Sequence, residues 1–107
     1  MIHKDNRRTI YDWTPKGIYK SNKVVFVHEE ISIGDHLHRK KDEHFFLASG
    51  KFLELQLGEG TLYNLDAPYV VNVPRNTYHR FICSKGSILI GVATEEFDET
   101  DEIKQLL

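Results

Sequence analysis

The stretch Gly34-Asp-His-Leu-His-Arg-Lys-Lys-Asp-Glu-His-Phe-Phe-Leu-Ala-Ser-Gly50 sets His36 and His38 two residues apart, follows them with the charged turn Arg39-Lys40-Lys41-Asp42, and opens an apolar run with Glu43. Side chains two apart on a strand point the same way, so an extended backbone around His36 projects both imidazoles from one face. Beyond the turn, Glu43 shares its face with Phe45 and Leu47, whereas His44 and Phe46 point to the other side. The carboxylate therefore joins an inward-facing set. Downstream, Pro74-Arg-Asn-Thr-Tyr-His79 reads as a turn leading into a strand whose first inward residue is His79. Three neutral imidazoles and one carboxylate suit Zn²⁺, Mn²⁺, Fe²⁺, Ni²⁺ or Co²⁺, with one or two positions left for water or substrate. The alternative is a set of core histidines that simply find hydrogen-bond partners.

Outward from this stretch the apolar residues keep a period of two. Segments 24–27, 45–48, 52–57, 69–73, 79–83 and 88–93 are short, rich in aromatic and β-branched residues, and separated by turn signals such as Ser49-Gly50, Gly58-Glu59-Gly60, Asp66-Ala67-Pro68 and Lys85-Gly86. This predicts an all-β domain, a sandwich or small barrel, spanning residues 1–107 without an internal boundary. Alternation places Leu53, Leu55 and Leu57 on the core face and Phe52, Glu54 and Gln56 on a wetter one. At the end of the chain, Ile103, Leu106 and Leu107 behind Thr100 and Asp101 predict a short helical turn capped by one of those two residues.

Composition narrows the class of partner. The chain of 107 residues has 40% hydrophobic and 28% charged residues, ordinary for a globular domain, with 14 Lys+Arg against 16 Asp+Glu. No basic footprint for nucleic acid exists. No signal peptide or membrane-length apolar run is visible and the single cysteine, Cys83, has no internal partner, so a cytoplasmic location is the expectation. Of the remaining histidines, His28 reads as a surface residue, His44 faces away from Glu43, and His3 lies in the terminus. Arg39-Lys40-Lys41 and Arg7-Arg8 read as solvated rather than as phosphate clamps, and Glu95-Glu96-Phe97-Asp98-Glu99 as exposed.

The compound pattern resembles the two motifs of the cupin superfamily, Gly-x5-His-x-His-x(3,4)-Glu-x6-Gly and Gly-x5-Pro-x-Gly-x2-His-x3-Asn, within residues 34–50 and 74–79. The resemblance implies a jelly-roll β-barrel with His36, His38, Glu43 and His79 as metal ligands. Gly34 stands two residues before the histidine pair rather than six. Asn76 stands where glycine is usual, and asparagine tolerates the left-handed conformation such a glycine supplies. A narrower likeness, over Leu65 to Phe81 and Ile88 to Ile103, is to the second half of the sugar-nucleotide 3,4-ketoisomerase cupins. Those enzymes act on dTDP-4-keto-6-deoxyhexoses with paired histidines in acid–base roles and no required metal, and they usually lack a ligand at the place of Glu43.

Together these readings predict a metal-binding cupin that isomerises or epimerises a small carbohydrate or sugar nucleotide by metal-assisted proton transfer, with Tyr78, Tyr63 and Tyr69 as proton-transfer candidates beside the histidines. A non-haem metal dioxygenase and a non-catalytic sensor or ligand-binding cupin are the alternatives. Phe46 and Ile82, aromatic and branched residues on the outer sheet face, predict a homodimer whose interface includes one of them.

Overall fold

The computed structural model describes residues 2–104. A hairpin of β1 (Ile2–Lys4) and β2 (Thr9–Tyr11) precedes two facing antiparallel sheets. The first sheet has the order β3-β10-β5-β8, made of Ser21–Phe26, Ile88–Ala93, Glu43–Ser49 and Tyr69–Val73. The second runs β11-β4-β9-β6-β7, made of Glu102–Ile103, Ser32–His38, His79–Cys83, Lys51–Leu57 and Gly60–Asp66. All pairings are antiparallel, and the result is a two-sheet sandwich, as the alternating sequence predicts, arranged as the jelly roll that the resemblance implies. Among the described residues no helix is long and apolar enough to cross a membrane.

Inward-facing rows from both sheets make the core. Phe45 and Leu47 of β5 meet Phe81 and Cys83 of β9, with Phe52, Val71 and Leu89 filling the space between. The rings of Phe45 and Phe81 stand edge to face at 5.0 Å. Each such side chain stabilises the fold by about 1.5–3 kcal/mol through removal from water. Burial raises the Cys83 thiol to a pKa of about 11, which leaves it an inert core residue.

Four expectations need correction. Phe52, placed on the wetter face by strict alternation, is fully buried, and Leu53 is not. The register of β6 against β9 slips between Phe52 and Glu54, and one bulged residue turns the preceding part of the strand over. Phe46 does point outward, but the chain covers it: Tyr11 and Trp13 lie over its ring at 5.4 and 5.5 Å, leaving it 8% exposed. The helical turn at the end is a 3-10 turn, Glu99–Asp101, capped by Asp98 rather than by Thr100 or Asp101; Ile103 is in β11, while Leu106 and Leu107 lie outside the described residues. Lys41, read as solvated, is buried.

Candidate functional site

The site is built where β4, β5 and β9 meet at one end of the sandwich. In β4 a bulge at Asp35 (φ +61°) shifts the register so that His36, not Asp35, stands opposite His79. Asp35 is held there by the Ser32 hydroxyl, which donates to it at 2.6 Å, and by the Arg80 guanidinium at 3.1 Å. Arg80 also donates to Glu54 at 3.1 Å. Gly34, at φ +97°, brings the β4 backbone against the His79 ring; a Cβ there would stand 2.8 Å from its Cδ2. Asn76 takes the left-handed conformation expected of it, and its N–H donates to the His38 carbonyl, which ties the turn before His79 to the end of β4.

These elements bring His36, His38, Glu43 and His79 together: one donor atom from each lies within 4.8 Å of the others. Metal–ligand bonds of about 2.0–2.2 Å allow donors at most about 4.4 Å apart across a filled site, so side-chain shifts of a few tenths of an ångström close the set on an ion. Glu43 Oε1 lies 3.0 Å from His38 Nε2 and 3.7 Å from His79 Nε2, yet it is buried without a hydrogen bond to either. A buried carboxylate oxygen left in that state is costly unless something else takes its lone pairs. The donor set therefore fits a divalent transition metal.

Two carboxylates that sequence reasoning did not assign to the site stand behind the histidines. Asp101 is buried, accepts the backbone N–H groups of Arg39 and Lys40 at 3.0 and 3.1 Å, and lies 3.6 Å from His38 Nδ1. Glu102 lies 4.0 Å from His36 Nδ1. Neither distance is that of a hydrogen bond, and among the described residues His38 Nδ1 has no hydrogen-bond partner, but both carboxylates place negative charge on the Nδ1 side, the side from which a ligating imidazole is usually supported. The only sequence signal for this was a polar tail that read as a helix cap.

The three tyrosines are not in this cluster. Tyr69 packs edge to face on Phe52 at 6.0 Å and pairs with Leu47, about 13 Å along β8 from the residue paired with Glu43. Tyr63 is exposed opposite Glu54. The Tyr78 hydroxyl donates to Asp35 at 3.5 Å, on the Arg80 side of the sheet, and burial together with Asp35 raises its pKa. His44 bonds Asn72 at 2.8 Å on the outer face, and His28 is exposed, as expected of both.

Burial holds the His79 pKa down at about 4 and lowers that of His36, where His38 adds to the effect. Burial works to raise the Glu43 carboxyl, but close contact with His38, then the Lys23 ammonium and His79, outweighs it and holds the pKa at about 2. In the metal-free protein the unfolded chain therefore binds protons that native His79 refuses. Its contribution is complete above pH 6.5 and is lost as pH falls towards 4; Glu43 follows below its unfolded value of 4.5. Urea unfolding with chelator present should give a stability about 2 kcal/mol lower at pH 5 than at pH 7 from His79 alone. A flat profile over that interval would contradict a buried neutral imidazole.

No protein-family model matches the sequence, and no curated protein matches it. Solved structures do. A 3,4-ketoisomerase from Helicobacter canadensis is 19% identical with a TM-score of 0.81, over 98% of this chain and 86% of that one. The TDP-quinovose 3,4-ketoisomerase WlaRB from Campylobacter jejuni is 19% identical with a TM-score of 0.82, over 98% and 88%. QdtA, a sugar 3,4-ketoisomerase from Thermoanaerobacterium thermosaccharolyticum solved in complex with TDP, is 20% identical with a TM-score of 0.78, over 98% and 83%. The two facing sheets, the inward His/Glu cluster and these neighbours agree: this chain has the cupin fold.

Proposed function

We propose that the protein isomerises a keto sugar nucleotide, and that its His/Glu cluster holds a divalent metal. The observation that carries this reading is the buried Glu43 Oε1, unbonded among imidazoles at the inner end of a cupin sandwich. The substrate class is supported by the neighbours, which are sugar 3,4-ketoisomerases, one of them solved with TDP-4-keto-6-deoxyglucose.

His36, His38, Glu43 and His79 can all donate to the ion. The buried three, His38, Glu43 and His79, make a His₂Glu set that suffices for a catalytic site with an open position. The metal would polarise the keto oxygen and stabilise the negative charge that develops on it. His36 is then the residue that moves the proton. Its side chain is 16% exposed, against 4% for His38 and 3% for His79. Its lowered pKa keeps it a free base at neutral pH, and the Glu102 carboxylate lies 4.0 Å from its Nδ1. His36 takes the C–H proton from the hydroxyl-bearing carbon beside the ketone and returns it to the former carbonyl carbon, while the hydroxyl proton passes to the carbonyl oxygen. The two adjacent carbons exchange oxidation levels and no redox partner is consumed.

The test is incubation with TDP-4-keto-6-deoxyglucose in D₂O, followed by NMR, with metal content measured in the same sample. The expected result is the 3-keto isomer with deuterium at the carbon that received the proton. His36→Asn should lower the rate about 10²–10⁴-fold while the metal stays bound. Unchanged substrate with both metal-loaded and chelated protein overturns the isomerase reading. Less than about 0.1 equivalent of metal taken up on soaking, with turnover intact, overturns the metal half and leaves the histidines to act alone.

A homodimer belongs to the same proposal. With Phe46 covered, its support moves to the outer face of β3, where Val24 and Phe26 are 53% and 61% exposed next to the partly exposed Ile90 and Ile88. Apolar side chains grouped on an antiparallel sheet face favour a two-fold partner. Light scattering should give about 25 kDa, twice the 12.5 kDa of the chain, and Phe26→Glu should halve it; a single-chain mass at every concentration refutes the dimer.

A further inference from the structure

Two lysines beside the His/Glu cluster take no part in the chemistry described so far. Lys23 stands on β3 opposite Gly91 of β10, which is opposite Phe45 of β5. Its ammonium lies 5.6 Å from the Phe45 ring centroid and 3.8 Å from Glu43 Oε2. Gly91 leaves the gap the lysine stem uses: a Cβ there would stand 2.9 Å from Phe45 and 3.3 Å from Lys23 Cε. Lys41 comes from the turn between β4 and β5 and is only 6% exposed. Among the described residues it has neither a hydrogen bond nor a carboxylate within 4 Å, and its ammonium lies 6.0 Å from the centroid of the exposed Phe97 ring.

A lysine buried to this degree with no carboxylate in contact recovers only part of its desolvation cost, since Asp98 acts on it from a longer range. Its position accounts for that. Lys23 and Lys41 both line a cavity of about 190 Å³ that reaches Glu43, with Ser21, Asn22 and Gly91 in the wall and Phe97 at its side. Glu43 is the one carboxylate there, so the cavity presents two positive charges against one negative. The volume is below the roughly 300–1,000 Å³ that encloses a whole small-molecule ligand, so the cavity takes one part of a larger substrate. The neighbouring cleft, of about 960 Å³, shares Phe97 but sets five carboxylates against Lys20 and Lys40, which disfavours an anion.

We propose that Lys23 and Lys41 form an anion subsite for a phosphoryl group of the substrate, next to the reacting centre. The proposal deepens the sugar-nucleotide reading and rests on it for the identity of the substrate. Two ammonium groups, one from strand β3 and one from the turn between β4 and β5, match an anion with several charged oxygens. Phe97, between the small cavity and the wide cleft, offers a ring face to whatever the phosphoryl group carries.

Calorimetric titration with inorganic phosphate, pyrophosphate and thymidine diphosphate, at low and high salt, tests it on wild type, Lys23→Met, Lys41→Met and Lys85→Met. Methionine keeps much of the stem volume, and Lys85, exposed in the turn between β9 and β10, controls for bulk charge. Pyrophosphate should bind wild type and Lys85→Met alike, about tenfold more weakly to Lys23→Met and to Lys41→Met, and more weakly to all in salt. Thymidine diphosphate binding more tightly than phosphate by tenfold or more assigns the group to a nucleotide; equal affinities assign it to free phosphate, and either is support if the lysines carry it. If Lys41→Met does not fold, Lys23→Met decides. Wild type that binds no phosphoryl compound at millimolar concentration, or folded lysine variants that bind as wild type does, overturns the subsite. Lysine-dependent binding without sugar turnover would leave the subsite standing and sink the isomerase reading, whereas turnover with no lysine dependence does the reverse.

Discussion

Glu43→Gln should lower affinity for Zn²⁺ more than about a hundredfold, because loss of an outer-sphere partner alone costs 10–100-fold and this carboxylate is a donor itself. The same change should also cost the metal-free protein stability, by an amount that does not depend on zinc. Burial works to raise the native carboxyl, but contact with His38, then the Lys23 ammonium and His79, holds it at about 2, below its unfolded 4.5, so the fold favours the charged form and a neutral amide forfeits that. The two expectations separate sharply in a melting experiment. With zinc at a hundred times its dissociation constant the wild type gains about 2.7 kcal/mol, and the variant gains almost none. If Glu43 instead serves to hold His38 and His79 in the core, the variant melts lower by a similar amount with and without chelator, and the donor assignment is wrong.

Gly34→Ala should be the most damaging small substitution near the site. The residue sits at φ +97°, where an L side chain costs about 1–2 kcal/mol. The added methyl would also stand 2.8 Å from His79 Cδ2 and 2.9 Å from its carbonyl oxygen, and overpacking of that kind costs about 1–3 kcal/mol. The ring cannot move away freely, since Phe81 and Phe45 pack at its side at 5.4 and 6.1 Å. The expected sum, about 2–5 kcal/mol, is a large share of the 5–15 kcal/mol that holds a domain folded. Gly58→Ala provides the comparison: its φ is +58° but nothing lies within 4 Å of its Cβ position, so only about 1 kcal/mol is expected. Denaturant midpoints give both numbers, and zinc affinity of whatever Gly34→Ala folds gives a third. Equal losses for the two glycines would mean that the His79 ring yields and the close approach is not a constraint.

The four cluster residues were legible because each belongs to a local rule. His36 and His38 both lie beyond the bulge at Asp35, so their two-residue spacing places them on one face, and Glu43 and His79 each open a strand with clear alternation. Alternation counted across a bulge fails, as Phe52 and Leu53 demonstrate, because the unpaired residue reverses the phase and leaves no mark in composition. The strand Gly60–Asp66 was not anticipated since most of its residues are exposed and no inward row stands out. Asp101 and Glu102 were invisible for a different reason. They reach His38 and His36 only because β11 pairs with β4 from more than sixty residues away, and no local pattern specifies a two-residue edge strand. The burial of Lys41 and the shelter of Phe46 under Trp13 are likewise products of long-range packing.

That shelter gives the protein a built-in optical probe. Trp13 is the only indole in the chain, and it stacks on Phe46 with an interplanar angle of 19°, on the face of the first sheet opposite to the His/Glu cluster. Its emission therefore senses whether the segment after β2 is docked on that sheet, and it is insulated from events among the histidines. Monitored beside far-ultraviolet dichroism, which follows the two sheets as a whole, an earlier shift in the tryptophan signal would date the release of the amino-terminal arm as a separate local opening. Coincident curves would make the arm part of one cooperative unit. Titrations of metal or substrate, by the same reasoning, need a different reporter.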